Sequence, residues 1–448
     1  MPFPNPNLTY RHAAPAAQLF RWVVQLGAVM VTTAWAGPDQ SVGGSQTNAV
    51  YRYGFGAAKP TPGYTQITPE MIYTAERACG FEPGVAVTAV ARPEGGAITS
   101  DRPFYFSQRL PEGNYRVTVT LGGGAVAAET TVNAELRRLM LERVPTEPGQ
   151  VVTRQFIVNV RQPAIAGGGE VRLNAREKET ERRSWDDRLT LEFLGRQPTV
   201  ARLEIAPVTV PTVFLAGDST VCDQPAEPYN SWGQMITRCF QPTVAIANHA
   251  ESGESIAGAL AKGRFNKIWS QLKPGDYLII QFGHNDMKSS AANALDNYTD
   301  NLRKVVTEAR RRGGIPLLCT PVSRRSFGED GKIKNSFGGY PEAVRLVARD
   351  MNVALIDLQQ MGAAFYEALG PDGSHQAFAT ARENTHHSDY GSYEIARCVL
   401  QSLRDNQVAL ANFILPEFTN FDPTHPDPIT TFKVPASAGV TRRKPVGN

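Results

Sequence analysis

Cysteine is scarce in this chain and poorly spaced for chemistry. Five residues in 448, Cys79, Cys222, Cys239, Cys319 and Cys398, form no CxxC pair. An odd count in so long a chain excludes a disulfide scaffold, and the missing CxxC excludes the common zinc and redox motifs. Cys222 and Cys239 could pair in an oxidising compartment; otherwise both are buried small apolar residues. An excess of one charge is lacking too, since 46 basic residues stand against 43 acidic ones. Without a concentrated basic stripe, nothing favours nucleic acid as a partner. The chain has no HExxH, no EF-hand loop and no GxSxG elbow, so no metal site is expected and the common lipase turn is excluded. No internal repeat is visible.

Only the first stretch is strongly apolar. Arg11 and Arg21 precede Trp22–Ala36, which closes on the small-x-small signal Ala34-Trp35-Ala36 before Gly37. This reads as a secretory signal peptide over residues 1–36, leading to secretion or to a periplasm. A membrane anchor is the alternative, but the run is shorter than the roughly 20 residues needed to span a bilayer.

The remaining length is generous for one core, so two domains are expected. From Ala49 to Pro207 short alternating runs, such as Val50–Gly56 and Asn114–Thr120, are separated by turn residues such as Gly167-Gly168-Gly169. That rhythm predicts an antiparallel sandwich, assigned to residues 37–207. After Pro211 apolar strands at 212–216, 244–247, 277–282, 315–320 and 353–358 alternate with helical segments, the clearest being 291–312 and 391–405. Strand–helix alternation predicts an α/β domain, a parallel sheet covered on both faces, over residues 208–428. The proline-rich remainder, 429–448, reads as an extended or disordered tail.

Function in such sheets gathers at the C-terminal strand ends. Ser219, Gly253 and Asn285 each follow a predicted strand closely, and His386 precedes the last helix. A serine hydroxyl needs a base within hydrogen-bond reach to attack an ester, and His386 is the candidate, with His387 its competitor. Glu383, three residues earlier, can accept the imidazole Nδ1 proton across a tight loop. A glycine N–H and an asparagine amide are suitable donors to a developing oxyanion. Each residue alone also has an ordinary reading as a turn, cap or surface group.

Taken together, Phe214-Leu215-Ala216-Gly217-Asp218-Ser219-Thr220, Asn248-His249-Ala250-Glu251-Ser252-Gly253, Gln281-Phe282-Gly283-His284-Asn285-Asp286 and Thr385-His386-His387-Ser388 resemble the blocks of the SGNH (GDSL) hydrolases. Within that superfamily the chain is most similar to the rhamnogalacturonan acetylesterase group, over about Pro211 to Pro428. The resemblance implies a flavodoxin-like three-layer α/β/α fold and a cofactor-free serine esterase. It makes Ser219 the nucleophile, His386 the base and the Ser219 N–H, Gly253 and Asn285 the oxyanion hole. The implied substrate is an acetylated plant cell-wall polysaccharide, with acetylxylan, a small acyl ester or mere carbohydrate binding as alternatives. The family pattern is usually Asp-x-x-His; here Glu383 takes the acid's place, with Asp389 a lesser candidate. The first half resembles the galactose-binding-like sandwiches found ahead of such domains, through Ser184-Trp185-Asp186-Asp187-Arg188-Leu189. An exposed Trp185 would stack on a sugar ring and Asp186 would accept its hydroxyls; the alternative is a core tryptophan at a domain contact.

Overall fold

The computed structural model describes residues 49–56, 62–92 and 95–446, so the expected signal peptide lies outside the described residues. The short alternating runs of the first half form two sheets. One runs in the order Val151–Val160, Gly113–Gly122, Thr199–Pro207, Tyr51–Phe55, Thr65–Ile67. The other runs Cys79–Phe81, Phe104–Arg109, Arg188–Arg196, Ala128–Ala134, Arg138–Thr146. All pairs are antiparallel except Tyr51–Phe55 with Thr65–Ile67, which is parallel. Alternation places Val117, Val119 and Leu121 of one sheet against Phe104, Phe106, Leu191 and Phe193 of the other, and all are buried. Phe104 and Phe193 stack with ring centroids 5.2 Å apart. Fully burying such side chains stabilises by about 1.5–3 kcal/mol each, before chain entropy is set against it.

The second half builds a five-stranded parallel sheet in the order Ala245–Asn248, Thr212–Gly217, Tyr277–Gln281, Ile315–Cys319, Ala354–Ile356. The first strand in sequence stands second in space, which is the flavodoxin-like order. Strand residues are buried on both faces. Val213, Leu215 and Ile279 face a cluster with Trp232, Phe365 and Ile395, while Phe214, Leu278 and Ile280 face one with Phe265, Leu302 and Val344. The longest helix among the described residues, Ala294–Arg311, stops at Gly313, whose φ of +80° ends the helix at little cost.

The all-β half and the parallel-sheet half share a buried polar seam. The Arg138 guanidinium reaches the Asp223 carboxylate at 2.8 Å, and Asp223 also accepts the Asn248 amide at 2.8 Å. All five cysteines are free and buried, so Cys222 and Cys239 are unpaired small core residues. Among the described residues after Pro428 there is one 3₁₀ turn, Ile429–Thr431, and an isolated bridge from Val440 to Glu227, and the rest is irregular. It is nevertheless held: Ser437 is buried and donates to Glu192 at 2.8 Å, and Thr441 N donates to Glu227 O at 2.7 Å.

Candidate active site

The strand Thr212–Gly217 delivers the first block to the C-terminal edge of the parallel sheet. Gly217 is required there because a Cβ would meet Val221 Cγ2 at 2.6 Å and the Gln281 carbonyl at 2.8 Å. Asp218 then closes the turn by accepting Thr220 N at 3.0 Å and Thr220 Oγ1 at 2.9 Å. Its other oxygen faces His284 Nδ1 at 3.1 Å. Burial pushes the Asp218 pKa up, but His284 and the Thr220 bonds outweigh burial and hold it below the usual value. The turn leaves Ser219 Oγ 2.9 Å from His386 Nε2.

His386 sits on a loop organised by Glu383. One Glu383 oxygen accepts the backbone N–H groups of Asn384, Thr385 and His386 at 3.0, 3.0 and 3.3 Å. The other faces His386 Nδ1 at 3.4 Å and Lys444 Nζ at 3.3 Å. Burial alone would raise the Glu383 pKa; His386 and the backbone donors hold it far below the carboxylate range. Burial lowers the His386 pKa, Glu383 raises it, and the balance lies below the ordinary histidine value. The competitor His387 is elsewhere occupied, with Nε2 2.6 Å from the Tyr366 hydroxyl and its ring stacked on Phe378. Burial pushes its pKa down to about 3. Asp389 faces Arg137 at 3.4 Å and takes the Asn230 amide at 2.7 Å, so it serves the helix start and not the imidazole.

Gly253 adopts φ +76°, a backbone state that favours glycine. Its loop is tied to the serine turn: Glu251 N donates to Gly217 O at 3.1 Å. Gln224 Nε2 reaches both Ser219 O at 2.7 Å and Ser252 Oγ at 3.4 Å. Asn285 is half-buried, donating from Nδ2 to Glu254 O at 3.0 Å while its Oδ1 accepts Lys288 Nζ at 3.1 Å. Its neighbour Asp286 accepts Ile256 N and Gly283 N, both at 3.0 Å, which ties the Gly253 loop to the Asn285 loop. Burial pushes the Asp286 pKa up to about 7.

Trp185 and Asp186 do not form a sugar platform. Trp185 is buried, with the Arg161 guanidinium 4.5 Å over its ring and His249 packed edge-on at 5.9 Å. Asp186 is turned inward, accepting Arg188 N at 3.1 Å and facing its guanidinium at 3.5 Å. The indole packs instead between the all-β half, at Arg161, and the parallel-sheet half, at His249.

A cavity of about 370 Å³ is lined by Arg176, Glu181, Tyr229, Ser252 and Lys444 among others. It adjoins the catalytic pair through Gln224, which bonds Ser219 O at 2.7 Å, and Tyr229, edge-on to His386 at 6.0 Å. Sequence reading missed Arg176 and Glu181, which come from the sandwich half. The one local signal for that wall is Asn174-Ala175-Arg176-Glu177, a capping box that does form. Also missed was the His284–Asp218 pair, although both residues stand in the quoted blocks. Among the described residues no cluster of metal-ligating side chains occurs and no helix is long and apolar enough to cross a membrane.

The model of the GDSL-like lipase/acylhydrolase family matches residues 215–392. Rhamnogalacturonan acetylesterase RhgT of Bacillus subtilis is 35% identical over 217 residues, 45% of this chain and 94% of its own length. The uncharacterised esterase YxiM of Bacillus subtilis is 25% identical over 406 residues, 87% of this chain and 99% of its own. The crystal structure of YxiM aligns with a TM-score of 0.45 at 24% identity, covering 81% of this chain and 99% of that one.

Proposed function

The chain belongs to the GDSL-like lipase/acylhydrolase family and is an esterase, and from that premise we propose that it is a secreted serine esterase removing acetyl groups from a plant cell-wall polysaccharide, rhamnogalacturonan first. The observation that carries the reading is the 2.9 Å approach of Ser219 Oγ to His386 Nε2, with Glu383 behind the imidazole. The choice of polymer is supported by the names of the relatives at 30% identity and above, both rhamnogalacturonan acetylesterases, one of them assigned as probable.

In this mechanism His386 takes the Ser219 proton as Oγ attacks the acetyl carbonyl. The negative oxygen that forms is held by the Ser219 and Gly253 N–H groups and the Asn285 amide. Each such donor is worth about 2.7–4 kcal/mol at the transition state. Glu383, kept ionised by the three amides and the imidazole, stabilises the imidazolium. His386 then protonates the departing sugar oxygen, and a water it deprotonates releases acetate from Ser219. No metal or cofactor is assigned a part.

Acetate release from acetylated rhamnogalacturonan and acetylated xylan, side by side, tests the reading. The expected result is faster release from rhamnogalacturonan, abolished in Ser219→Ala. Faster release from xylan would move the substrate, and binding of either polymer without release would favour a binding protein instead.

A further inference from the structure

The loop carrying Gly253 is gripped from outside the hydrolase domain. Between the sandwich strands Val151–Val160 and Arg188–Arg196, the chain makes a one-turn helix, Ala175–Lys178. It is fixed by its own capping box: Glu177 N donates to Asn174 Oδ1 at 3.1 Å and Asn174 N to Glu177 Oε2 at 2.9 Å. Glu177 also takes both terminal nitrogens of Arg264 at 2.8 Å, and Arg264 Nε continues to Glu254 at 2.9 Å. Asn174 Nδ2 donates to Glu251 at 2.9 Å. The Arg176 guanidinium then reaches the Glu251 carboxylate and the Ser252 carbonyl, the latter at 3.0 Å, with Glu181 3.7 Å behind it.

The Ser252 carbonyl and the Gly253 N–H belong to one peptide unit. In a planar trans peptide the two point in opposite directions, so whatever holds the oxygen also aims the N–H. Glycine at φ +76° has no side chain to hold that plane by packing. A charge-assisted bond to the oxygen fixes it and also polarises the N–H as a donor. We propose that Arg176, a residue of the first domain, is a positioning residue for the Gly253 oxyanion donor, so that the active site is complete only with both domains. The inference rests on Gly253 acting as an oxyanion donor in the reaction described above.

The test uses the full chain with Arg176→Ala and Arg176→Lys, assayed on p-nitrophenyl acetate. Arg176→Ala is expected to lower kcat by about ten- to a hundred-fold, less than the 10²–10³ of losing a donor outright. KM should stay within about threefold, because ground-state binding does not use this N–H strongly. Lysine, which can reach the carbonyl without the guanidinium fork, should restore part of the rate. Guanidinium chloride at low millimolar concentration should restore part of the Arg176→Ala rate through the adjoining cavity, and leave wild type unchanged. A folded Arg176→Ala with kcat within about twofold of wild type would overturn the proposal. So would a loss that tracks unfolding on thermal melting and yields to neither lysine nor guanidinium. Retained turnover in Ser219→Ala would sink the catalytic reading itself, a separate failure from an inert Arg176→Ala.

Discussion

Ser219 Oγ and His386 Nε2 meet at 2.9 Å although 167 residues separate them in the chain. The strand Thr212–Gly217 ends just before Ser219 at the edge of the parallel sheet, and the loop ahead of the helix Asp389–Asp405 brings His386 to it. Local bonds then do the fine placement, Asp218 closing the serine turn and Glu383 closing the histidine loop.

That placement gives the reaction a definite pH behaviour. Only neutral His386 can accept the Ser219 proton. Burial brings its pKa below the ordinary 6.5 despite Glu383's opposing pull. The acid limb of kcat/KM is therefore expected below 6.5, with activity level through neutrality. Glu383→Gln removes the group that raises the imidazole pKa, so the limb should move to still lower pH. The plateau should drop by roughly 10⁴, as the imidazolium loses its counter-charge. A pH–rate profile of both proteins checks this, and an upward shift in Glu383→Gln would contradict it.

Asn285 separates the oxyanion role from structural ones. Its amide holds Glu254 O while Lys288 holds its oxygen, so the side chain is fixed before substrate arrives. Asn285→Ala should lower kcat by about 10²–10³ and leave KM nearly unchanged. Steady-state kinetics on a small acetyl ester measure the split; a loss confined to KM would assign Asn285 to binding.

The sheet and the four blocks were legible in the sequence because each depends on local pattern. Strand–helix alternation predicted five parallel strands, and a glycine stop predicted the end of the helix that the structure places at Ala294–Arg311. The resemblance picked His386 over His387, but residue chemistry alone did not, since what occupies His387 is Tyr366 and Phe378, which tertiary packing alone brings to it. Trp185 beside two aspartates left a sugar platform and a core tryptophan both open for a similar reason. Its burial comes from Arg161 and His249, which lie in distant parts of the chain. Arg176 stands inside a capping box that signals only a helix start, and its partners Glu251 and Ser252 lie 75 and 76 positions away in the chain.

Stability should carry its own pH signature at Glu394. Burial pushes this carboxyl from 4.5 up to about 7, against Arg397, which pulls it down, while Asp427 adds to the rise. The folded state thus holds the proton where the unfolded chain has lost it. Stability from this group is full below about 4.5 and is lost as pH rises through about 7. Glu394→Gln removes that dependence. Relative to wild type it should gain roughly 2 to 3 kcal/mol between pH 4 and pH 8. Chemical denaturation at the two pH values measures it; parallel curves for the two proteins would contradict the assignment.

The most direct test of the central claim is to catch the acetyl group on the enzyme. Wild type mixed with p-nitrophenyl acetate, quenched in acid within milliseconds and mapped by peptide mass spectrometry, should carry one acetyl group on Ser219. In His386→Ala the group should be absent or form far more slowly. Rapid ester turnover with Ser219 never acetylated, and undiminished in Ser219→Ala, would contradict the account.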